Sequence, residues 1–568
     1  MKVFFASETL PANLQEGWNN GISGYFLQAK EYISNDEWEY IITGTDTVSL
    51  VRYKGRNTEL NLEKVDGYTV EKIGAQCFCD NDTLSKVTIG SHVKEIGNEA
   101  FYGCDGIATL EVPKSVQQIG DSAFADSNIM VTLQSDSELV NIGDYAFYNN
   151  ATKSLTIPDS VQSIGEGAFY VSSLITCEIG ENSALNKIGD KAFSKTHIQS
   201  IYLPEKLSIV GAEAFKETPD LINVEIKDGK TPLKLSDSAF EESGFTQIML
   251  PQRVFYIGEY TFANCQSLEN IKVDEKNVSY TDLDGVLCNN SGTTLIQYPC
   301  GRGGSYEIPE KINVLTYAAF KDAKQLTEVR FAAKSTVRTI GWNTFSGCEN
   351  LTKISIPDTV VSVDFYAFEN CTSLSDVILS ANSQLAGIYE GAFYGCTALY
   401  NITLPDTVVE IGEYAFYHCT SLPVVPMQET SQISGIYDYA FYGCSEIRAI
   451  PHFGQLAEIG EYAFANTSVS EYIVPASVKE IASTAFSGCE YLLNIECEEE
   501  NQDYVSMNGV LYEKGTFDAT DMDAVIIWPA GKKIVLGEGK TTLTREDTAL
   551  LEKASSVELP VTIADSVT

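Results

Sequence analysis

The sequence predicts a β-rich repeat solenoid of about 20 turns, each formed by a short strand and a short helical or 3₁₀ turn. One phenylalanine recurs along most of the 568 residues, and within each run its copies lie 22 to 25 residues apart. The segment that it closes also recurs, as in residues 411–416 (Ile-Gly-Glu-Tyr-Ala-Phe). Within each period, apolar residues first alternate with polar ones and are then spaced three and four residues apart. The phenylalanine occupies positions 78, 101, 124, 147, 169, 193, 215, 240, 262, 320, 345, 368, 393, 416, 441, 464 and 486.

Each turn divides into two halves with different patterns. In the first half Ile402 and Leu404 alternate with polar residues, which is typical of a strand with one buried side, and Pro405 ends the strand because it has no N–H to donate. In the second half, residues 408–416, the apolar spacing predicts a helical or 3₁₀ turn. We expect Gly412 to adopt a backbone angle that would strain other residues.

Two turns depart from this pattern. Asp284-Gly285 and Asn508-Gly509 predict β-hairpin inserts, and each glycine lies 23 residues after the last phenylalanine, so the phase is kept. The last turn stops in mid-repeat, which predicts truncated C-terminal turns and further residues after 568. The predicted organisation is a non-repeat leader (1–36), an N-terminal β cap with the first turn (37–72), repeat block 1 (73–280), a hairpin insert (281–310), repeat block 2 (311–503), a second hairpin insert (504–535) and C-terminal turns (536–568).

The composition is strongly acidic. The chain has 78 Asp and Glu against 38 Lys and Arg, a formal net charge of −40. Such a surface repels nucleic-acid phosphates and anionic lipid, so neither is an expected partner. No run approaches the roughly 18 apolar residues that a membrane span needs, and residues 1–20 lack a secretory signal. A monomer is expected.

The cysteines and histidines show no pattern that predicts catalysis or metal binding. Eight of the 14 cysteines follow the recurring phenylalanine by three residues, where other turns have Ser, Thr or Asn. The position therefore favours a small residue that can donate a hydrogen bond, and we interpret the cysteines as stacked reduced thiols rather than disulfides or metal ligands. The four histidines have no recurring partner. We expect no catalytic residue, no cofactor and no metal site.

Tyrosines form the candidate binding surface. They recur two residues before and one residue after the phenylalanine, positions that would share a face on a helical turn. Tyrosine gives contact area at low entropic cost. The alternative is that the rings only pack on one another along the repeats. The predicted stripe comprises Tyr389, Tyr394, Tyr414, Tyr417, Tyr437, Tyr439, Tyr442 and Tyr462.

The repeat unit, Leu-x-x-Ile-x-Ile-Pro-x-x-Val-x-x-Ile-Gly-x-x-Ala-Phe-x-x-Cys, resembles the BspA-like (treponemal-type) leucine-rich repeat family over about residues 37–568. The resemblance implies an α/β-type leucine-rich repeat, and a cell-surface or secreted bacterial protein that attaches to host matrix proteins or to other cells. It implies no catalytic motif. The resulting hypothesis is a non-enzymatic binding or adhesion solenoid for a protein or glycan ligand. The alternatives are a structural spacer that presents other domains, a carbohydrate-binding module that uses the tyrosine stripe, and, for location, the cytoplasm.

Overall fold

The computed structural model describes residues 31–514, 525–527, 529–532, 534–536 and 561–563. In this part of the chain the secondary structure consists of strands and turns, and the predicted β solenoid of about 20 turns is confirmed. Most of the predicted leader (1–36) and of the C-terminal turns (536–568) lies outside the described residues. The chain divides into two compact units, Met1–Ser279 and Tyr280–Thr568. Each is described by itself.

The first half of each turn in unit 1 forms a four-residue strand with alternating burial, as in Thr109–Val112, where Leu110 and Val112 are buried. These strands pair in parallel with the equivalent strand of a neighbouring turn. Because every turn presents the same face inward, a parallel stack buries what no single turn can bury. The strands are Glu59–Leu62, Lys86–Ile89, Thr109–Val112, Met130–Leu133, Ser154–Ile157, Thr176–Ile179, Ser200–Leu203, Asn223–Ile226, Gln247–Leu250 and Asn270–Val273.

A second ladder runs through the other half of the turns in unit 1. It begins with an antiparallel hairpin whose Trp38 and Tyr53 contact Phe78 with ring centroids 6.1 and 6.0 Å away. The hairpin therefore covers the first phenylalanine of the repeats. The strands of this ladder are Tyr32–Ser34, Trp38–Ile42, Thr47–Tyr53, Lys64–Val65, Tyr68–Ile73, Glu95–Ile96, Gln118–Ile119, Asn141–Ile142, Ser163–Ile164, Lys187–Ile188, Ile209–Val210, Leu233–Leu235 and Val254–Ile257.

Unit 2 repeats this plan. Its first-half strands are Gly304–Ile308, Leu326–Phe331, Lys353–Ser355, Asp376–Ile378, Asn401–Ile402, Glu471–Val474 and Asn494–Cys497. Its second-half ladder contains Thr339–Ile340, Ser362–Val363, Gly387–Ile388, Glu410–Ile411, Gly435–Ile436, Glu458–Ile459 and Glu480–Ile481. Two further described strands, Ile534–Leu536 and Val561–Ile563, pair in parallel with each other.

The two predicted β-hairpin inserts are present in unit 2. Tyr280–Leu283 pairs antiparallel with Val286–Asn289 across a turn in which Asp284 and Gly285 both have positive φ. Tyr504–Met507 pairs likewise with Val510–Glu513 across Asn508 and Gly509. Positive φ at both central residues is what a two-residue hairpin turn requires, and it explains the Asp-Gly and Asn-Gly pairs. Sheet pairing continues to Thr294–Gln297 and Val314–Leu315 in the first insert and to Val525–Ile527 in the second.

The recurring phenylalanines form one stacked column in each unit. Neighbouring rings in unit 1 lie 5.0 to 6.1 Å apart. In unit 2 Tyr298 takes the first place in the column, 4.9 Å from Phe320, and Phe416 is fully buried. Each buried ring contributes roughly 1.5–3 kcal/mol. The columns are the centre of the hydrophobic core.

The prediction of a helical or 3₁₀ turn is wrong for the described residues, and the backbone hydrogen bonds give the reason. Ala415, Tyr417 and Cys419 donate to the carbonyl three residues earlier, as in a β turn. The N–H groups between them, those of Phe416 and His418, donate instead to the next turn of the solenoid. A helix needs every N–H for its own segment. Here every second N–H donates to the next turn, and Tyr414 and His418 have left-handed φ values of 54°.

Gly412 does not have the role predicted for it, whereas the cysteines do. Gly412 does not have positive φ, so the predicted role is wrong. A Cβ atom there would lie 2.7 Å from the backbone nitrogen of Glu390 in the preceding turn, and glycine is required for this close approach. The cysteines are all free, and Cys419 is buried and donates its thiol to the carbonyl of Phe393, 3.2 Å away. The thiol thus satisfies a core carbonyl as predicted.

Candidate functional site

Six of the eight predicted tyrosines form two stacked columns on unit 2, which we call the tyrosine columns. In the first column Tyr417 lies between Tyr394 and Tyr442, with ring centroids 4.7 and 5.0 Å away and planes within 8° of parallel. The second column comprises Tyr414, Tyr439 and Tyr462, with neighbouring centroids 4.9 and 5.0 Å apart.

The two columns touch each other. Tyr414 contacts Tyr417 with centroids 5.7 Å apart, and Tyr439 contacts Tyr442 at the same distance. Although the segment is not helical, the β turn that joins the N–H of Tyr417 to the carbonyl of Tyr414 brings positions three apart together. The parallel register then repeats this pair in the next turn, so that the six rings form one continuous surface.

Tyr389 and Tyr437 lie away from the tyrosine columns. Each occupies the position that Gly412 occupies in its own turn. Their rings stand over the glycines two residues earlier, where an added Cβ would meet the ring carbon Cζ at 3.1 Å. Tyr389 also stacks on Phe365, with centroids 6.0 Å apart. These two tyrosines cover backbone instead of extending the columns.

All six rings of the columns are half-buried. Burial raises the pKa of Tyr414 and of Tyr417 above the ordinary value, and neighbouring tyrosines or carboxylates raise it further. The hydroxyl groups of these two residues are therefore neutral at physiological pH and available as hydrogen-bond donors. Both faces of Tyr417 and Tyr439 are covered by neighbouring rings, so what these two expose is their ring edges.

His418 belongs to this surface and the sequence interpretation missed it. Its ring lies edge-on to Tyr417, with centroids 4.5 Å apart, and to Tyr442, with centroids 5.6 Å apart. The residue has a φ of 54°, a left-handed conformation that turns its side chain toward the first column. Its position directly after Tyr417 is the signal in the sequence that could have found it.

Reactive groups do not cluster near the columns. Among the described residues no group of three or more His, Cys, Asp or Glu side chains could hold a metal ion. Three histidines each pair with one carboxylate at the surface, His92 with Glu63, His197 with Asp220 and His452 with Glu498. No helix in the described part of the chain is long and apolar enough to cross a membrane. What the columns offer is contact area and hydrogen bonds.

The family described as BspA type leucine-rich repeat region (6 copies) matches residues 71–187, 118–234, 186–300, 297–422 and 379–493, which together span most of the chain. No curated protein sequence matches it.

Solved structures of bacterial leucine-rich repeat proteins are similar to this chain. A leucine-rich repeat protein from Eubacterium ventriosum has 20% identity and a TM-score of 0.45, with 77% of this chain and 95% of that chain covered. A leucine-rich cell surface protein from Faecalibacterium prausnitzii has 23% identity and a TM-score of 0.40, with 82% and 94% covered. The pneumococcal vaccine antigen PcpA has 17% identity and a TM-score of 0.43, with 94% and 99% covered. At these values no residue role is transferred.

Proposed function

This chain belongs to the BspA-type leucine-rich repeat family, and on that premise we propose that it is a non-enzymatic protein-binding module at or outside a bacterial cell surface. Leucine-rich repeat proteins of this type are typically interaction modules. We propose further that the ligand is a protein and that adhesion is the outcome of binding.

One observation supports the proposal most, namely the continuous surface of the two tyrosine columns. Face-to-face stacking holds each ring in place before any ligand arrives, because Tyr417 has neighbours at 4.7 and 5.0 Å. A rigid aromatic surface loses little conformational entropy on binding, and tyrosine is enriched where proteins meet. His418 adds a second type of hydrogen-bonding group at the edge of the first column.

The test is a binding screen of the purified chain against host extracellular-matrix proteins and a glycan array. The variant Tyr394→Ser, Tyr417→Ser, Tyr442→Ser removes the first column. A matched control is Tyr148→Ser, Tyr170→Ser in unit 1, which removes two stacked rings (centroids 5.9 Å apart) at the equivalent position. We expect a protein ligand that the parent and the control bind and that the column variant binds at least tenfold more weakly.

The other outcomes assign the function differently. A ligand that all three proteins bind equally moves the site away from the tyrosine columns. A glycan that depends on the columns makes the chain a carbohydrate-binding module. If no ligand binds, the repeats act as a structural spacer, and the adhesion proposal is wrong.

A further inference from the structure

Unit 2 carries a second aromatic surface, formed by residues three positions before the recurring phenylalanine. In consecutive turns this position is held by Tyr317, Trp342 and Phe365, whose side chains are 41%, 57% and 47% exposed. Tyr389, 43% exposed, stacks on Phe365 from the following turn. We call these four residues the exposed aromatic row. Unlike the tyrosine columns, they present large apolar area to solvent.

The backbone places these side chains in line. The N–H of Ala318 donates to the carbonyl of Trp342 over 3.0 Å, and the N–H of Asn343 donates to the carbonyl of Phe365 over 3.1 Å. Tyr317, Trp342 and Phe365 are thus joined from turn to turn. Adjacent strands of a sheet lie roughly 4.8 Å apart, which sets the step between side chains along the row.

The same position becomes acidic in the next four turns. The hydrogen-bond ladder continues without a break from Phe365 through the N–H groups of Tyr366, Gly391, Tyr414 and Tyr439. The residues that accept are Glu390, Glu413, Asp438 and Glu461, which we call the acidic continuation.

Within the described residues the carboxylates of the acidic continuation form no ion pair with Lys, Arg or His. Glu390 accepts a hydrogen bond from the Tyr366 hydroxyl, and Asp438 accepts one from the backbone of Glu461. Those contacts position the carboxylates and leave their negative charge unneutralised.

The sequence around the acidic continuation has a single Lys or Arg, Arg448, between Lys353 and Lys479. Between Lys353 and Arg448 the chain has eleven Asp and Glu and no Lys or Arg. Elsewhere lysines pair with carboxylates on neighbouring turns, as in Lys195–Glu217 at 3.3 Å in unit 1 and Lys324–Glu349 at 2.7 Å in unit 2. A positive charge that pairs with the acidic continuation must therefore come from another molecule.

Asp364 supports this conclusion at the aromatic row itself. The pairing of Val363 with Ile388 puts Asp364 in register with Tyr389. Partial burial raises the pKa of this carboxyl group, and no described Lys or Arg lies within ion-pair distance of it. A cation brought by a ligand would offset the cost of removing the carboxylate from water.

We propose that the exposed aromatic row and its acidic continuation bind an extended Lys- and Arg-rich segment of a partner polypeptide. Trp and Tyr rings attract Lys and Arg side chains through cation–π contacts, with Trp the strongest. Exposed Trp and Tyr also anchor protein interfaces, and the surrounding negative charge speeds the approach of a cationic ligand.

The length of the surface sets the length of the bound segment. From Tyr317 to Glu461 there are six steps of roughly 4.8 Å, which together span about 29 Å. An extended peptide at about 3.3 Å per residue covers this distance with about nine residues.

The probe is a fluorescent peptide of about nine residues in which Leu and Lys alternate, and its affinity is measured by anisotropy at low ionic strength. The variant Trp342→Ser, Phe365→Ser removes the middle of the exposed aromatic row. Tyr400→Ser is the matched control, since this ring is 65% exposed in the same unit but outside the row. We expect the row variant to bind at least tenfold more weakly than the parent, and the control to bind as the parent does.

Two further measurements complete the test. A peptide of alternating Leu and Glu is expected not to bind, and Glu413→Gln, Glu461→Gln is expected to weaken binding of the Leu–Lys peptide. Equal affinity of the parent and the row variant for the peptide would overturn the proposal. The general attraction between a cationic peptide and an acidic protein would then explain the binding without the exposed aromatic row. A neutral oligosaccharide whose binding requires Trp342 would also overturn the proposal. The variant that lacks the first tyrosine column is expected to bind the Leu–Lys peptide as the parent does. Failure of this proposal can therefore be distinguished from failure of the adhesion proposal.

Discussion

The turns around Trp342 and those around Tyr439 have the same backbone and opposite surfaces. Three residues before the phenylalanine, the first region has Trp342 where the second has Asp438. Two residues before it, the first has Asn343 where the second has Tyr439, and both of these residues have positive φ. Moving an aromatic ring by one position therefore changes an exposed ring into a stacked one. The comparison shows that position within the turn decides whether a ring is open to a ligand.

The backbone conformation that the two regions share is a strained one at the position two residues before the phenylalanine. Positive φ is tolerated by Asn and disfavoured for large side chains, yet Tyr414 has a φ of 54° and Asn343 one of 53°. Stacked aromatic pairs contribute about 0.5–1.5 kcal/mol beyond their buried area. Stacking on neighbours thus offsets the local strain at Tyr414.

The largest expected effect concerns the core that both regions share. Phe416→Ala removes a fully buried ring that lies between Phe393 and Phe441, each 5.2 Å away. We expect a loss of about 3–5 kcal/mol in the free energy of unfolding. Urea unfolding followed by circular dichroism measures it.

Two surface substitutions sharpen the comparison. Tyr417→Ser removes a ring stacked on both faces and is expected to cost about 1.5 kcal/mol. Trp342→Ser removes an exposed ring and is expected to change stability by less than about 0.5 kcal/mol. If the two substitutions cost the same, the tyrosine columns are no more structural than the exposed aromatic row, and the distinction between the surfaces fails.

Glycines of the two regions are expected to respond in opposite directions to alanine. At Gly412 a Cβ would lie 2.7 Å from backbone atoms of the preceding turn, which cannot move aside, so Gly412→Ala is expected to cost about 1–3 kcal/mol. At Gly341 the nearest atom is the Thr344 hydroxyl oxygen, 3.7 Å away. Gly341→Ala is expected to be neutral or to stabilise by up to about 1 kcal/mol, because alanine restricts the unfolded chain.

Denaturant midpoints of the two single variants and the parent measure this difference. Equal destabilisation by both substitutions would mean that the backbone at Gly341 is packed as tightly as that at Gly412.

Periodicity alone was sufficient to predict the solenoid and the buried phenylalanines. A residue that recurs every 22 to 25 positions can be buried only if the turns stack. The Asp-Gly and Asn-Gly pairs were sufficient for the hairpins, since they require positive φ at two successive residues. The cysteine position was predictable for the same reason, because Ser, Thr, Asn and Cys share a small size and a donor.

The conformation of the second half was not predictable from apolar spacing. Positions three apart come together in a helix and in successive β turns alike, and only the destination of alternate N–H groups separates the two. The predicted tyrosine stripe combined residues that occupy different positions within their turns. Tyr389 and Tyr437 stand at the glycine position and cover backbone, while Tyr414 and Tyr439 stack. The sequence analysis missed the exposed aromatic row because the same position carries a different aromatic residue, Tyr, Trp or Phe, in each of three turns.

The smallest expected effect is a pH dependence confined to the tyrosine columns. Burial raises the folded-state pKa of Tyr414 and Tyr417 above the unfolded value of about 10. Stability from the neutral hydroxyls is fully present below about pH 10 and is lost as the pH rises through the folded-state pKa, because the unfolded chain releases its protons first. The variant Tyr414→Phe, Tyr417→Phe keeps the rings, and its free energy of unfolding is expected to fall less steeply above about pH 10 than that of the parent. Trp342→Phe changes no ionisable group in the exposed aromatic row and should leave the slope unchanged. An identical alkaline slope for parent and column variant would show that the stacked hydroxyls ionise as freely as those of an unfolded chain.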